Sequence, residues 1–371
     1  MYCRMGTQLA TGMMSGTSLD GMDLAHCAFT EKEGKWNYRL LHAETIPYTT
    51  EWRTRLKNAP MLDGRDLIRL HAEYGHLIGQ QLIAFFARHG IADPGIIAVH
   101  GHTVFHRPDQ GYTFQAGSAA AIAAETGRTI VGDFRSLDVS LQGQGAPLVP
   151  AGDRLLFGDY RYCLNLGGFA NISYEMHARR LAHDICPLNI VMNHLASLVK
   201  PEEMPDGAGF SPPPYDPDGV IARSGNPAGD LLDTLNKHPF YSQKGPKSLG
   251  AEWVNSQIMP LLRESGLPAR DLLNTWVEHA AMMIAGAIPG EESGSLLVSG
   301  GGTHNTYLLE RIRAHLPAGI HLHVPDRLTV DYREALIFAF LGLLRVQGLP
   351  NCLASVTGSK KDHVGGSIFS P

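Results

Sequence analysis

The chain has 371 residues, 44% of them hydrophobic, with a formal net charge of −5; that is length and core enough for two globular domains, and the absence of a basic tract excludes the electrostatic footprint of a nucleic-acid binder. Its five cysteines, Cys3, Cys27, Cys163, Cys186 and Cys352, lie far apart, which excludes a CxxC zinc site, argues against a disulfide framework and fits a reducing compartment. The segment MYCRMGTQLATGMMSGTS has no apolar run of a signal peptide and no stretch reaches the ~18 apolar residues of a membrane helix, so the expected location is the cytoplasm, with no membrane partner.

In chain order, residues 8–14 and 22–29 read as two strands joined by a small polar turn over Ser15–Gly21, a hairpin. Apolar positions Leu67, Leu70, Tyr74, Leu77, Ile78, Leu82, Phe85 and Phe86 recur at helical spacing, and Gly90 closes that helix. Residues 95–100 read as a short apolar strand, 117–127 as an alanine-rich helix and 129–133 as another strand, the alternation of an α/β domain. The pattern then begins again. Residues 161–166 and 172–176 form a second hairpin around Gly167–Asn171. Helices are expected near 188–199 and 227–237, the latter with Asn226 as N-cap and Pro227 at the first helical position. Residues 201–219 are rich in Pro and Gly and read as a long loop. A strand at 295–299 runs into Gly300, Gly301 and Gly302, followed by a helix near 305–315. A last apolar helix spans 332–347, and a polar tail begins at Asn351.

Three glycine-rich turns stand at chemically useful places. In Ser15-Gly16-Thr17-Ser18-Leu19-Asp20-Gly21, glycines let backbone N–H groups approach an anion, hydroxyls add donors, and Asp20 is placed to hold Mg²⁺ through water. Alone, such a run serves equally well as a plain hairpin turn. Asn165-Leu166-Gly167-Gly168-Phe169-Ala170-Asn171 repeats the design without charge. Gly300–Gly302 with Asn305 sits between a strand and a helix, where a nucleotide can meet a helix N-terminus; it is neither a Walker A loop nor a GxGxxG fingerprint. Two hairpins facing a phosphate from both sides, with a third loop seating the base, is the arrangement of actin-like sugar kinases and chaperone ATPases.

The remaining polar clusters suit a sugar. His100, His102 and His106 invite a zinc reading but lack an acidic or cysteine partner at metal-like spacing, so His102 and Thr103 read better as polar donors. Arg135 and Asp138 offer the mixture of donor and acceptor that sugar hydroxyls need. Asp184 lies after the second hairpin and before a helix, where a base would reach the substrate.

On MSGTSLDGMD at 14–23, His100–Pro108, Gly132–Pro150, Asn165–Asn171, YDPDGVIARSG at 215–225, PKSLG at 246–250, SGGG at 299–302, EALIFAFLG at 334–342 and SVTGS at 355–359, nearly the whole chain resembles the bacterial anhydro-N-acetylmuramic acid kinase family. The resemblance implies a duplicated actin-like (ribonuclease H-like) α/β sugar kinase fold with two lobes and an interlobe cleft, usually a homodimer. The expected division is 1–139, 140–350 and a tail, 351–371, packing back on the N-terminal lobe. It also implies ATP and Mg²⁺, hydrolytic opening of the 1,6-anhydro bridge, and phosphorylation of O6 in cell-wall recycling. The family's general base falls on Asp184. ATP would be met by Gly16, Thr17, Ser18, Leu19, Asp20, Gly21, Met22, Asp23, Asn165, Gly167, Gly168, Asn171, Gly300, Gly301, Gly302 and Asn305. The sugar would be met by His102, Thr103, Arg135, Asp138, Asn189 and Glu334. Two departures stand out. The family's DTGPGN reads Asp184-Ile185-Cys186-Pro187-Leu188-Asn189 here, and Ala151-Gly152-Asp153 follows Pro150 in place of a frequent Phe-His pair. Another kinase of the same fold, or a non-catalytic nucleotide-dependent sensor, remains open on these residues.

Overall fold

The computed structural model describes residues 6–16, 19–200, 203–204, 215–243, 247–289 and 293–371. It divides into two compact units: the first comprises residues 1–158, 178–180 and 332–371, the second residues 159–177 and 181–331.

In the first unit, β1 (Gln8–Ser15), β2 (Gly21–Lys32) and β3 (Lys35–Pro47) form an antiparallel meander. β1 is buried over Ala10–Met13 and at Ser15, as an apolar central strand should be, whereas β3 is mostly half-buried or exposed. Parallel to β1 runs β4 (Ile96–Val99). A two-stranded ribbon follows, made of β5 (His102–Arg107) and β6 (Tyr112–Ala116), then β7 (Ile130–Gly132) parallel to β4. The helix Gly64–His89 begins where the Asp63 side chain accepts the Asp66 N–H and ends at Gly90 in the left-handed region. Its Leu70, Tyr74, Ile78, Leu82 and Phe85 face Met13, Leu24, Ile97 and Val99 of the sheet in one core.

The second unit repeats the plan with β8 (Tyr162–Leu166), β9 (Phe169–Met176), β10 (Arg179–Pro187), β11 (Gly294–Ser299) and β12 (Ile320–His323). β8 and β9 are antiparallel, while β11 is parallel to both β8 and β12. The helix Ala269–Gly286 supplies Leu273, Trp276, Val277, Ala280 and Ile284 to the core beneath it. Helix Gly229–Asn236 starts later than the sequence indicates: Ala228 holds the N-cap position, and the Asn226 N–H is drawn away to Asp271 Oδ1 at 2.9 Å.

The chain then returns. Helix Arg327–Gln347 loses helical geometry at Tyr332 (φ −116°, ψ 16°), where the first unit resumes. It lies so close to β1 that a Cβ on Gly12 would stand 1.9 Å from the Ala335 carbonyl oxygen. β13 (Ser367–Phe369) closes against β7, antiparallel. The sheets therefore run β13-β7-β4-β1-β2-β3 and β10-β9-β8-β11-β12. Set aside β13 and both read third, second, first, fourth, fifth: a duplicated ribonuclease H-like unit, as the resemblance implies. The first unit runs on to Gly158 rather than stopping at 139, and it also takes in the helix from Tyr332 that the expected division gave to the other lobe. Most of the long 201–219 loop lies outside the described residues; Pro217–Gly219 within it form one 3₁₀ turn.

Candidate active site

The first unit presents its glycine turn at the tip of the β1–β2 hairpin, where Ser15 pairs with Met22 and Met14 with Asp23. Leu19 takes a left-handed φ of 60°, and the exposed Asp20 accepts the Tyr48 N–H on its carbonyl at 3.2 Å. Beneath the tip, Ser15 Oγ bonds the Tyr48 hydroxyl at 2.7 Å, and Tyr48 in turn bonds Tyr74 on the long helix. Ser15 and Asp20 are thus both tied to Tyr48. Thr17 and Ser18 lie outside the described residues. Met22 is buried in the core at 2% exposure, a correction to its place in the nucleotide set: only its backbone is left to face a ligand.

Further along the same unit, charge collects around Glu334. Burial holds its carboxyl above the ordinary range; Arg333 opposes that, Asp23 adds to it and Arg135 opposes it again. Asp23 also accepts a bond from Thr45 Oγ1 at 2.6 Å. Arg135 is pushed down to about 10 by burial, with Glu334 acting the other way. Its Nε–H donates to His100 Nε2 at 2.9 Å and its Nη1 donates to the Gly145 carbonyl at 3.0 Å. Since His100 Nδ1 bonds the Gly101 carbonyl at 2.8 Å, the ring carries its proton there and is neutral. Burial and then the Arg135 charge hold it well below the usual histidine range. His102 is buried, and its Nδ1 has no hydrogen-bond partner among the described residues. A buried, unmatched ring nitrogen beside polar Thr103 suits a ligand hydroxyl.

Asp138 departs from expectation. It has no exposed surface, and its carboxylate accepts the Gly145 N–H at 2.6 Å and the Thr357 hydroxyl at 2.7 Å. It anchors the loop that carries Gly145 from inside and is not an exposed acceptor for a sugar hydroxyl.

In the second unit three expected pieces come together. The β8–β9 turn is only Gly167-Gly168, with Asn165 paired to Asn171. The segment after Asp184 docks onto it: Leu188 N–H donates to the Gly168 carbonyl at 2.8 Å, Asn189 N–H to the Gly167 carbonyl at 3.3 Å, and Asn189 Nδ2 to the Leu166 carbonyl at 3.0 Å. Leu188 and Asn189 thereby keep the chain on the turn without the family's glycines. Gly300 (φ 86°) packs on the other side, where a Cβ would meet Asn165 Oδ1 at 2.4 Å. Asn305 is buried and its side chain caps helix Thr306–His315 through the Leu308 N–H at 2.8 Å. That carboxamide oxygen is therefore already engaged, and it shapes the loop from behind.

Asp184 sits within β10, half-buried. Leu249 N–H donates to its Oδ2 at 2.8 Å, and its own N–H donates to the Lys247 carbonyl at 3.0 Å. Burial raises its pKa, and the Leu249 bond works against that rise. A partly desolvated carboxylate held by one donor is a stronger proton acceptor than a solvated one.

A sequence model of the anhydro-N-acetylmuramic acid kinase family matches residues 8–371. The chain belongs to that family. Curated anhydro-N-acetylmuramic acid kinases from Shewanella sp. (strain MR-7) and Vibrio cholerae are 36% and 34% identical to it, covering 97% and 98% of this chain and 98% and 99% of their own. Among solved structures, a ROK family glucokinase from Streptomyces griseus in complex with glucose and AMPPNP superposes with a TM-score of 0.39 at 12% identity, over 90% of this chain and 98% of that one.

For this anhydro-N-acetylmuramic acid kinase family member, sequence reasoning missed the clamp from Lys247 and Leu249. The signal was present in PKSLG, which carried the resemblance without suggesting a partner for Asp184. Lys247 lies over the Phe240 ring at 4.5 Å, donates to the Phe240 carbonyl at 3.2 Å, and has its pKa lowered by burial. The Asp153 departure also has a role. Its carboxylate pairs with Arg333 and, at 3.7 Å, with Arg180, all three buried, and so fixes the residue next to Glu334.

Proposed function

We propose that the protein is an ATP-dependent kinase that opens the 1,6-anhydro bridge of 1,6-anhydro-N-acetylmuramic acid with water and phosphorylates O6. The product is N-acetylmuramic acid 6-phosphate, made in the bacterial cytoplasm during peptidoglycan recycling by what we take to be a homodimer. The observation that carries this reading is the half-buried Asp184 carboxylate, oriented by the Leu249 N–H, in a chain of this family.

Asp184 takes a proton from water as that water attacks the anomeric carbon. The anomeric C–O6 bond breaks, and its electron pair stays on O6. O6 then attacks the γ-phosphorus of ATP, and ADP leaves. The backbone amides of Gly16, Leu19, Asp20 and Gly21 in one hairpin, and of Gly167 and Gly168 in the other, are the expected donors to the phosphates; phosphoryl transfer asks mainly for such positioning. Gly300–Gly302 would seat the adenosine. His102, Thr103, Arg135, Asn189 and Glu334 would hold the sugar. The hard oxygen donors of exposed Asp20, with Asp23 behind it, suit Mg²⁺, which would be held through water and would neutralise phosphate charge.

The test is incubation with ATP, Mg²⁺ and the anhydro sugar in ¹⁸O-labelled water. Early product should be a 6-phosphate carrying one solvent oxygen at the anomeric carbon, read against a product-only exchange control. A 6-phosphate without solvent oxygen, or no phosphorylated sugar at all, would overturn the reading.

A further inference from the structure

The first unit holds a second group of chemistry-bearing side chains, which includes the buried Asp138 and is tied to Arg135 through the shared Gly145 backbone. Asp138, Cys352 and His363 are respectively 0%, 1% and 6% exposed. One ligand atom from each lies within 4.8 Å of the other two. Cys352 Sγ is 3.2 Å from Asp138 Oδ1, and His363 Nε2 is 3.6 Å from the same oxygen. A tetrahedral centre with bonds of about 2.0–2.3 Å to S, N and O places its donors about 3.3–3.8 Å apart. Two of the three edges already have nearly that length.

The surroundings are those of a ligand set. His363 Nδ1 is 3.2 Å from the Lys361 carbonyl, the bond that puts the proton on Nδ1 and leaves Nε2 a free lone pair aimed at the cluster. Nε2 is buried and has no hydrogen-bond partner among the described residues. The Asp138 carboxylate is oriented from behind by the Gly145 N–H and the Thr357 hydroxyl. Ligands fixed by backbone carbonyls, amides and hydroxyls are the usual outer support of a metal site.

From this we propose that Asp138, Cys352 and His363 bind one late first-row divalent cation, zinc foremost, as a structural site joining the helix Ser136–Ser140 to the C-terminal segment. One thiolate, one imidazole and one carboxylate suit zinc and cobalt rather than Mg²⁺. Binding forms bonds to Sγ, Nε2 and Oδ1 and releases the Cys352 thiol proton to solvent. The fourth position goes to water. Cation binding is read without turnover, so this proposal stands or falls independently of the kinase chemistry.

The experiment uses full-length protein, stripped by a chelator and titrated with Co²⁺ under a non-thiol reductant. We expect one cobalt per chain, a sulfur-to-cobalt charge-transfer band in the near ultraviolet, visible bands of a tetrahedral centre, and their loss when Zn²⁺ is added. Cys352→Ser should lose the charge-transfer band, and His363→Gln should weaken binding roughly 10-fold or more. Cys163→Ser should keep both. Circular dichroism shows that each variant is folded, and the wild-type titration needs no variant at all. No charge-transfer band in wild type at saturating Co²⁺, or a band that survives Cys352→Ser, would overturn the proposal.

Discussion

Leu249 N–H donates to Asp184 Oδ2 at 2.8 Å. One backbone amide thus orients the carboxylate proposed to activate water, while partial burial raises its proton affinity. Replacing Asp184 by Asn keeps the size of the side chain and an oxygen for Leu249, and removes the base. Turnover should fall by about 10²–10⁴-fold, with ATP affinity near wild type in equilibrium titration. Turnover of the Asn variant near the wild-type rate would remove Asp184 from the mechanism.

The same burial sets a pH dependence. Asp184 acts only when deprotonated, and its pKa is raised, so kcat/KM should decline as pH falls and the acidic limb should lie above the ordinary aspartate value. Weakening the opposing bond would raise that limb further; replacing Leu249 with Pro removes the N–H. A pH–rate profile of both proteins checks it, and a limb at the ordinary aspartate value would count against the assignment.

Asp20 is exposed at the tip of the first hairpin. Asp20→Ala should leave the melting temperature unchanged and reduce kcat by on the order of 10²-fold, the scale of losing one electrostatic element at a developing charge. Unchanged kcat at saturating Mg²⁺ and ATP would show that its carboxylate serves neither.

Gly300 and Gly168 should answer alanine differently. At Gly300 a Cβ meets Asn165 Oδ1 at 2.4 Å and the backbone φ is 86°; at Gly168 nothing lies within 4 Å. With ψ at 165° this backbone region is essentially glycine-only and costs another residue about 1–3 kcal/mol, so Gly300→Ala should lower the denaturation midpoint and, by displacing the turn, weaken ATP binding. Gly168→Ala should fold and bind as wild type. Calorimetric titration of ATP into each variant separates them.

Asp153 joins Arg333 and Arg180 in the interior. Asp153→Ala removes the shared carboxylate and should cost on the order of 3 kcal/mol of stability, seen as a lower denaturation midpoint. The variant should also lose kcat, because Arg333 precedes Glu334. A midpoint equal to wild type would mean that the pair contributes little.

Local pattern carried much of this fold. The helix at 64–89 announced itself by Leu70, Tyr74, Ile78 and Leu82 and by Gly90, and both hairpins by small-residue turns between apolar runs. β3 and β10 escaped because their residues are half-buried and polar-rich, KWNYRLLHAETIP and RRLAHDICP, so no clean alternation survives. The boundary at Gly158 and the return at Tyr332 are matters of contact, to which composition is blind. The site was legible as motifs, yet what each side chain does was not. Asp138 looked like a sugar ligand by its residue type, whereas its partners, Thr357 and Cys352, lie 219 and 214 residues away. The same distance hid the Asp138, Cys352 and His363 cluster, while attention to spacing fell on His100, His102 and His106.

The first sheet takes β1 from near the start of the chain and β13 from residues 367–369, with helix Arg327–Gln347 covering Gly12. The second unit, by contrast, is almost one continuous stretch, 159–331 apart from three residues. On a ribosome the middle of this chain can therefore consolidate before its beginning does. Helix Gly64–His89 can cover one face of β1 early, but the face at Gly12 must wait for more than three hundred further residues to emerge, which departs from the usual N-terminus-first order of domain folding. During synthesis, the face left open longest belongs to the strand that carries the turn proposed to meet phosphate.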